Sequence, residues 1–106
     1  MKNRFLGQIK TEIFPIGVGA MSFSDFYGPV TKAQSHDILK TALEFGVNHL
    51  DTSDLYGNGV SEERIGSFLK NNPSSRDFFK IATKGGIEKI KSGKTRFNNS
   101  NEYLRK

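Results

Sequence analysis

The sequence predicts an α/β protein on a parallel sheet, the opening part of a larger fold. Three observations carry this. Short apolar runs at 16–19, 47–50 and 78–83 alternate with two stretches of helical period. Gly, Pro and Asn fall between these segments. Three short strands with two crossover helices would also leave both sheet edges bare, which a native parallel sheet avoids.

Residues 5–14, FLGQIKTEIF, are expected to form a hairpin. Phe5 and Leu6 flank one side and Ile13 and Phe14 the other, with a turn around Lys10-Thr11-Glu12. Pro15 breaks the run, and IGVG at 16–19 is the first parallel strand. Ser22–Val30, with Gly28-Pro29 and no helical period, reads as a loop. Thr31 and Gln34 have capping-box spacing. Ile38, Leu39, Ala42 and Leu43 make the apolar face of the helix that follows, and Gly46 sits where a C-cap glycine belongs.

Val47–Leu50 is the second parallel strand, stopping at the polar cluster Asp51-Thr52-Ser53-Asp54. Ser61 is the expected N-cap of a second helix, with Glu62 and Glu63 in the first turn and Ile65, Phe68 and Leu69 on its apolar face. Asn71–Ser75 ends it, and 78–83 is the third strand. Residues 87–99, basic and rich in Gly, Ser and Asn, read as a long loop. Ser100 is the expected cap of a helix over 101–106.

Composition narrows the function classes. At 106 residues, 35% hydrophobic and 25% charged, the chain suits one small globular domain rather than a disordered segment. Without cysteine there is no disulfide, thiolate nucleophile or cysteine metal site, and a cytoplasmic setting is the default expectation. His36 and His49 are too few for a histidine metal cluster; His49 reads as a packed strand residue and His36 as a surface residue. No apolar run reaches membrane-spanning length, and the N-terminus lacks the apolar core of a signal peptide. Residues 1–84 carry ten Lys/Arg against nine Asp/Glu, and 85–106 six against two, so the basic character belongs to the tail. A basic tail suits an anionic partner or a solvated loop. Without interleaved aromatics the loop reading is preferred, and no nucleic-acid partner is expected.

The chemistry-bearing residues lie just past the strands. In a parallel β/α barrel all strand C-termini face one rim, where active sites form. The Gly19-Ala20-Met21 turn, Asp51 and Lys84 should therefore converge, with Tyr56 leaning over the same mouth. Each has a plainer reading. Asp51 could cap a turn, Tyr56 could be a half-buried aromatic, and Gly19 could simply be a tight strand exit. Phe23, Phe26 and Tyr27 could wall a substrate pocket or merely cover the barrel. Asn58-Gly59 reads as a turn, and Gly57 offers backbone freedom.

The segment GVNHLDTSDLYGNGVSEERIGSFL (46–69), followed by IATKGG (81–86), resembles the aldo-keto reductases. In that family an Asp-Thr-x-x-x-Tyr-Gly block precedes an apolar-Thr-Lys at the end of strand three. PIGVGAMSFSDFYGP (15–29) is similar to the family's first strand and loop, and Tyr56 and Lys84 stand twenty-eight residues apart as the paired blocks require. The resemblance implies the N-terminal part, a hairpin plus the first three β/α units, of a single TIM (β/α)8 barrel domain. It also implies an oxidoreductase that reduces an aldehyde or ketone with hydride from NADP(H). Tyr56 would be the proton donor, Lys84 the ammonium that favours its phenolate form, and Asp51 the partner that keeps Lys84 charged and oriented. Gly19, Ala20, Met21, Asp51 and Thr52 would be cofactor contacts.

The family's histidine past strand four, and most of its contacts to the adenosine 2′-phosphate, would lie beyond residue 106. The 106-residue chain alone is therefore expected to be inactive, and to self-associate through its exposed sheet edges. The alternatives are a non-catalytic, cofactor-binding relative and a small basic nucleic-acid-binding protein.

Overall fold

A computed structural model describes residues 2–8 and 10–105. Strands β1 (Arg4–Leu6) and β2 (Thr11–Ile13) form an antiparallel hairpin. Its turn falls earlier than expected: Lys10 N donates to Gly7 O at 3.3 Å, and Gly7 and Lys10 both have positive φ. Phe5 consequently faces Glu12, and Leu6 faces Thr11. A glycine that reaches φ 64° without strain sets the turn ahead of the polar cluster. Ile9, inside the expected hairpin, lies outside the described residues.

Three parallel strands follow, β3 (Val18–Gly19), β4 (His49–Asp51) and β5 (Lys80–Ala82), in the order β3-β4-β5. Helices α1 (Lys32–Glu44) and α2 (Val60–Asn71) are the crossovers and pack against each other. The hairpin is tied to the N-terminal end of the sheet by Asn48. Its Oδ1 accepts from Phe14 N at 2.8 Å, and its Nδ2 donates to Glu12 O at 3.0 Å.

Helix α1 has the local code expected of it. The Thr31 hydroxyl accepts from Gln34 N, and the Gln34 side chain accepts from Thr31 N. At its far end Gly46 (φ 76°) donates to Leu43 O and Val47 N donates to Ala42 O at 2.8 Å, a Schellman closure. Its buried face is Ser35, Leu39 and Ala42, while Ile38 stays 42% exposed. Helix α2 starts differently from expectation. Its N-cap is Gly59 at φ 96°, and Ser61 lies two residues further on, inside the first turn and fully buried. Glu62 and Glu63 do occupy the first turn, where the helix dipole favours carboxylates.

The core lies between the two helices and the sheet. Ala20, Phe23, Leu39, Leu50, Phe68 and Phe79 are essentially solvent-free. Phe68 meets Phe79 edge-on at 6.3 Å and His36 at 5.4 Å. His36 is thus an interhelix residue rather than a surface one. Its Nε2 lies 3.1 Å from Arg64 O and 2.9 Å from Ser67 Oγ, so it joins α1 to α2. His49 is half-buried on β4, as expected.

The stretch at 20–30 opens with a 3-10 turn (Ala20–Phe23). Residues 87–99, expected as a loop, contain an antiparallel hairpin, β6 (Ile87–Lys89) and β7 (Thr95–Phe97). Its turn closes through Gly93 at φ 80°, with Ile90 N donating to Lys94 O at 2.9 Å. Cross-strand Glu88 accepts from Arg96 Nε at 2.7 Å and from Asn98 Nδ2 at 2.8 Å. Helix α3 (Asn101–Leu104) begins at Ser100, whose Oγ accepts from Tyr103 N, and Lys106 lies outside the described residues. Tyr103 ties α3 to the hairpin by donating its hydroxyl to Ile87 O at 3.0 Å. Among the described residues, no helix is long and apolar enough to cross a membrane.

Candidate active site

The register of the parallel sheet fixes the site. Gly19 lies opposite Asp51, and Asp51 opposite Ala82, so the three strands end level. Lys84, two residues beyond β5, turns back across this end. Its Nζ donates to Asp51 Oδ2 at 2.9 Å and to Thr52 O at 2.9 Å, and it stands 4.8 Å above the centroid of the Tyr56 ring. The structure thus brings together Asp51, Tyr56 and Lys84 from three separate segments. Asp51 raises the Lys84 pKa above the ordinary 10.5; partial burial opposes this, and the Tyr56 phenol adds to the rise. Lys84 is therefore an ammonium at neutral pH. The side chains of Lys84 and Asp51 remain about half exposed, so the pair is open to a ligand at the rim.

Backbone pairing continues past the strands and holds the Tyr56 loop. Thr52 N donates to Ala82 O at 2.8 Å and Asp54 N to Lys84 O at 3.2 Å, and Ser53 Oγ donates to the same Lys84 carbonyl at 3.0 Å. On the other side, Ser61 Oγ donates to Ala20 O at 2.8 Å. That contact uses the only hydroxyl hydrogen of Ser61, so Thr52 Oγ1, 2.9 Å away, is the donor between the two hydroxyls. The buried chain Thr52–Ser61–Ala20 joins the exit of β4, the first turn of α2 and the exit of β3. These two hydroxyls carry no sequence signal beyond their polarity; Ser61 looks like a cap because its local context is that of one.

Between the pins, Gly57, Asn58 and Gly59 all have positive φ (61°, 57° and 96°). Gly57 is required for a second reason: a Cβ there would come within 2.6 Å of Ser24 Cβ. Thr83, between β5 and Lys84, donates its hydroxyl to Glu62 Oε1 on α2 at 2.5 Å.

The remaining sequence candidates divide. Met21 and Phe26 line a recess of about 440 Å³ together with Leu55, Tyr56, Lys89 and Thr95. Tyr27 stands beside Phe26 in an edge-on pair at 5.0 Å and is 72% exposed. Phe23 does not reach the recess. It is fully buried in the core, because the 3-10 turn directs it inward and Arg64 Nη1 holds its carbonyl. Gly19 is exposed at the strand end, whereas Ala20 and the Thr52 hydroxyl are buried and engaged in packing and hydrogen bonding. What those two residues offer the rim is backbone.

A family model, the Aldo/keto reductase family, matches residues 15–106. The chain is 36% identical over 92 residues to an NADP(+) aldo-keto reductase of Schizosaccharomyces pombe, a match covering 86% of this chain and 27% of that protein. It is 33% identical over 103 residues to the L-galactose dehydrogenase of Arabidopsis thaliana, covering 97% of this chain and 31% of that one. Among solved structures, an aldo-keto reductase of Pseudomonas aeruginosa superposes with a TM-score of 0.80 at 31% identity, over 97% of this chain and 38% of its own. The holo form of an aldo-keto reductase from Bacillus halodurans gives 0.78 at 32% identity, over 99% and 33%. The chain thus spans about a third or less of the length of these curated relatives, and its fold is that of part of an α/β barrel.

Proposed function

Since the chain belongs to the aldo/keto reductase family, we propose that the protein it represents reduces an aldehyde or ketone to an alcohol with NADPH, and that Tyr56 gives the proton. The observation that carries this reading is the single contact group in which Lys84 Nζ meets Asp51, Thr52 O and the Tyr56 ring.

The residues present fit the nicotinamide end of such a cofactor. Gly19 leaves bare backbone at the strand end, Met21 gives an apolar wall, and the half-exposed Asp51 carboxylate can accept from an amide. Ala20 and Thr52 would contribute main chain there. The cofactor, when bound, supplies hydride to the carbonyl carbon. This chain's own residues act on the oxygen. Tyr56, at the wall of the recess, is the O–H donor toward the developing alkoxide. The ammonium of Lys84 stands over its ring and places a positive charge beside the negative charge that proton transfer leaves on the tyrosine. Asp51 keeps that ammonium charged and aimed. Phe26, Leu55 and Met21 supply the apolar surface against which a carbonyl compound would lie.

The test is turnover of NADPH against a panel of aldehydes and ketones by the full-length protein and its Tyr56→Phe variant. A loss of about 10²–10⁴-fold in kcat with cofactor binding retained is expected for removal of a general acid. Cofactor bound with no carbonyl reduction by the unsubstituted protein would instead identify a non-catalytic, cofactor-binding relative.

A further inference from the structure

We propose that Glu62 is a positioning residue for Lys84, acting through the hydroxyl of Thr83. The inference deepens the reductase reading, and rests on it for the role of Lys84.

Lys84 lies two residues past the last residue of β5, and among the described residues β5 is paired on one side only. A backbone leaving an edge strand is the part of a sheet most free to fray. Yet Lys84 Nζ must meet two acceptors at once, Asp51 Oδ2 and Thr52 O, at the end of a flexible four-carbon side chain. It can do so only if its own Cα is fixed. Two groups fix it from opposite sides. The Lys84 carbonyl accepts from Ser53 Oγ and Asp54 N on the loop side. The preceding residue is held on the helix side, where Thr83 Oγ1 donates to Glu62 Oε1 at 2.5 Å.

Glu62 is well placed to be a rigid anchor. It lies in the first turn of α2, where the helix dipole favours a carboxylate. That same turn is tied to the strand exits by Ser61. The ionisable groups around Lys84 are Asp51 on β4 and Tyr56 on the loop, with Asp54, Glu62 and Tyr103 lining an adjoining recess of about 340 Å³. The salt-bridge partner of Lys84 is Asp51, and the contact of Glu62 on this segment is the Thr83 hydroxyl. It acts through Thr83.

The experiment is titration of the Lys84 side chain by nitrogen-15 NMR in the full-length protein and in its Thr83→Val and Glu62→Gln variants. Thr83→Val removes the donor without changing charge, and Glu62→Gln removes the charge but leaves an acceptor for Thr83. The expected result is that Thr83→Val returns Lys84 to ordinary lysine titration, whereas Glu62→Gln preserves the upward shift. An unchanged titration in Thr83→Val overturns the proposal, and so does an equal loss in Glu62→Gln, which would make the effect one of charge alone. Should Thr83→Val fail to fold, Glu62→Ala replaces it, with loss expected in Ala and retention in Gln; equal behaviour of the two sinks the idea. No turnover is read, so failure of the reductase reading would show separately, in the NADPH assay.

Discussion

Gly57 shows how much of the site depends on one residue. It stands at φ 61°, beside Tyr56, with Ser24 pressed against the space a side chain would need. Left-handed backbone costs a residue with a Cβ about 1–2 kcal/mol, and the overlap with Ser24 adds to that. Gly57→Ala is therefore expected to lower stability by about 2 kcal/mol or more, measured by urea denaturation, and to displace the Tyr56 ring. An unchanged midpoint would mean that the loop has another conformation of equal energy. The sequence shows Gly57 as a flexible position, but the reason it must be glycine lies thirty-three residues away. Asp51, Tyr56 and Lys84 were legible because strand ends in a parallel sheet share a rim and the spacing of the three follows a known pattern. Ser61 was misread because its buried partner, the Ala20 carbonyl, is forty-one residues distant.

At the scale of elements, α1 was readable from end to end because each of its signals is local. The capping box spans four residues, and the Schellman closure spans six. Thr31→Ala is expected to cost about 1 kcal/mol, checked by thermal melting against the unsubstituted chain. A Thr31→Asp variant should retain most of the stability. The β6–β7 hairpin was illegible for the complementary reason. IEK and TRF are too short and too charged to show an alternating pattern, and their pairing depends on Glu88 reaching both Arg96 and Asn98. Tyr103, on the next helix, completes the support. The three strand ends at the active-site end were placed to within about one residue, which is the usual uncertainty of such boundaries.

At the scale of the molecule, among the described residues the three-stranded sheet is bare at both edges, with β3 and β5 each paired on one side. Next to β3 an apolar groove of about 480 Å³ is lined by Ile16, Val18, Ile38, Ala42, Phe45 and Val47. Ile16 and Phe45 are 54% and 71% exposed. We propose that the 106-residue chain self-associates through this side. Sedimentation velocity should show a coefficient rising with concentration, and a Phe45→Glu variant should suppress the rise; a chain that stays monomeric throughout would refute it. The α/β class and the parallel order were readable from alternation alone, because right-handed crossovers leave few other arrangements. The open groove was not, since Ile38 fits the buried period of α1 while its surroundings leave it half in water.

The double pinning of the Tyr56 loop gives this end of the fold a modular character. Its entrance is fastened through Ser53 and Asp54 to the Lys84 carbonyl just past β5, and its exit through Ser61 to the Ala20 carbonyl just past β3. The five residues 55–59 therefore behave as a cassette whose ends are set outside it. Changes in that span can reshape what leans over the recess, and so what is accepted there, while the Asp51–Lys84 pair beneath keeps its spacing.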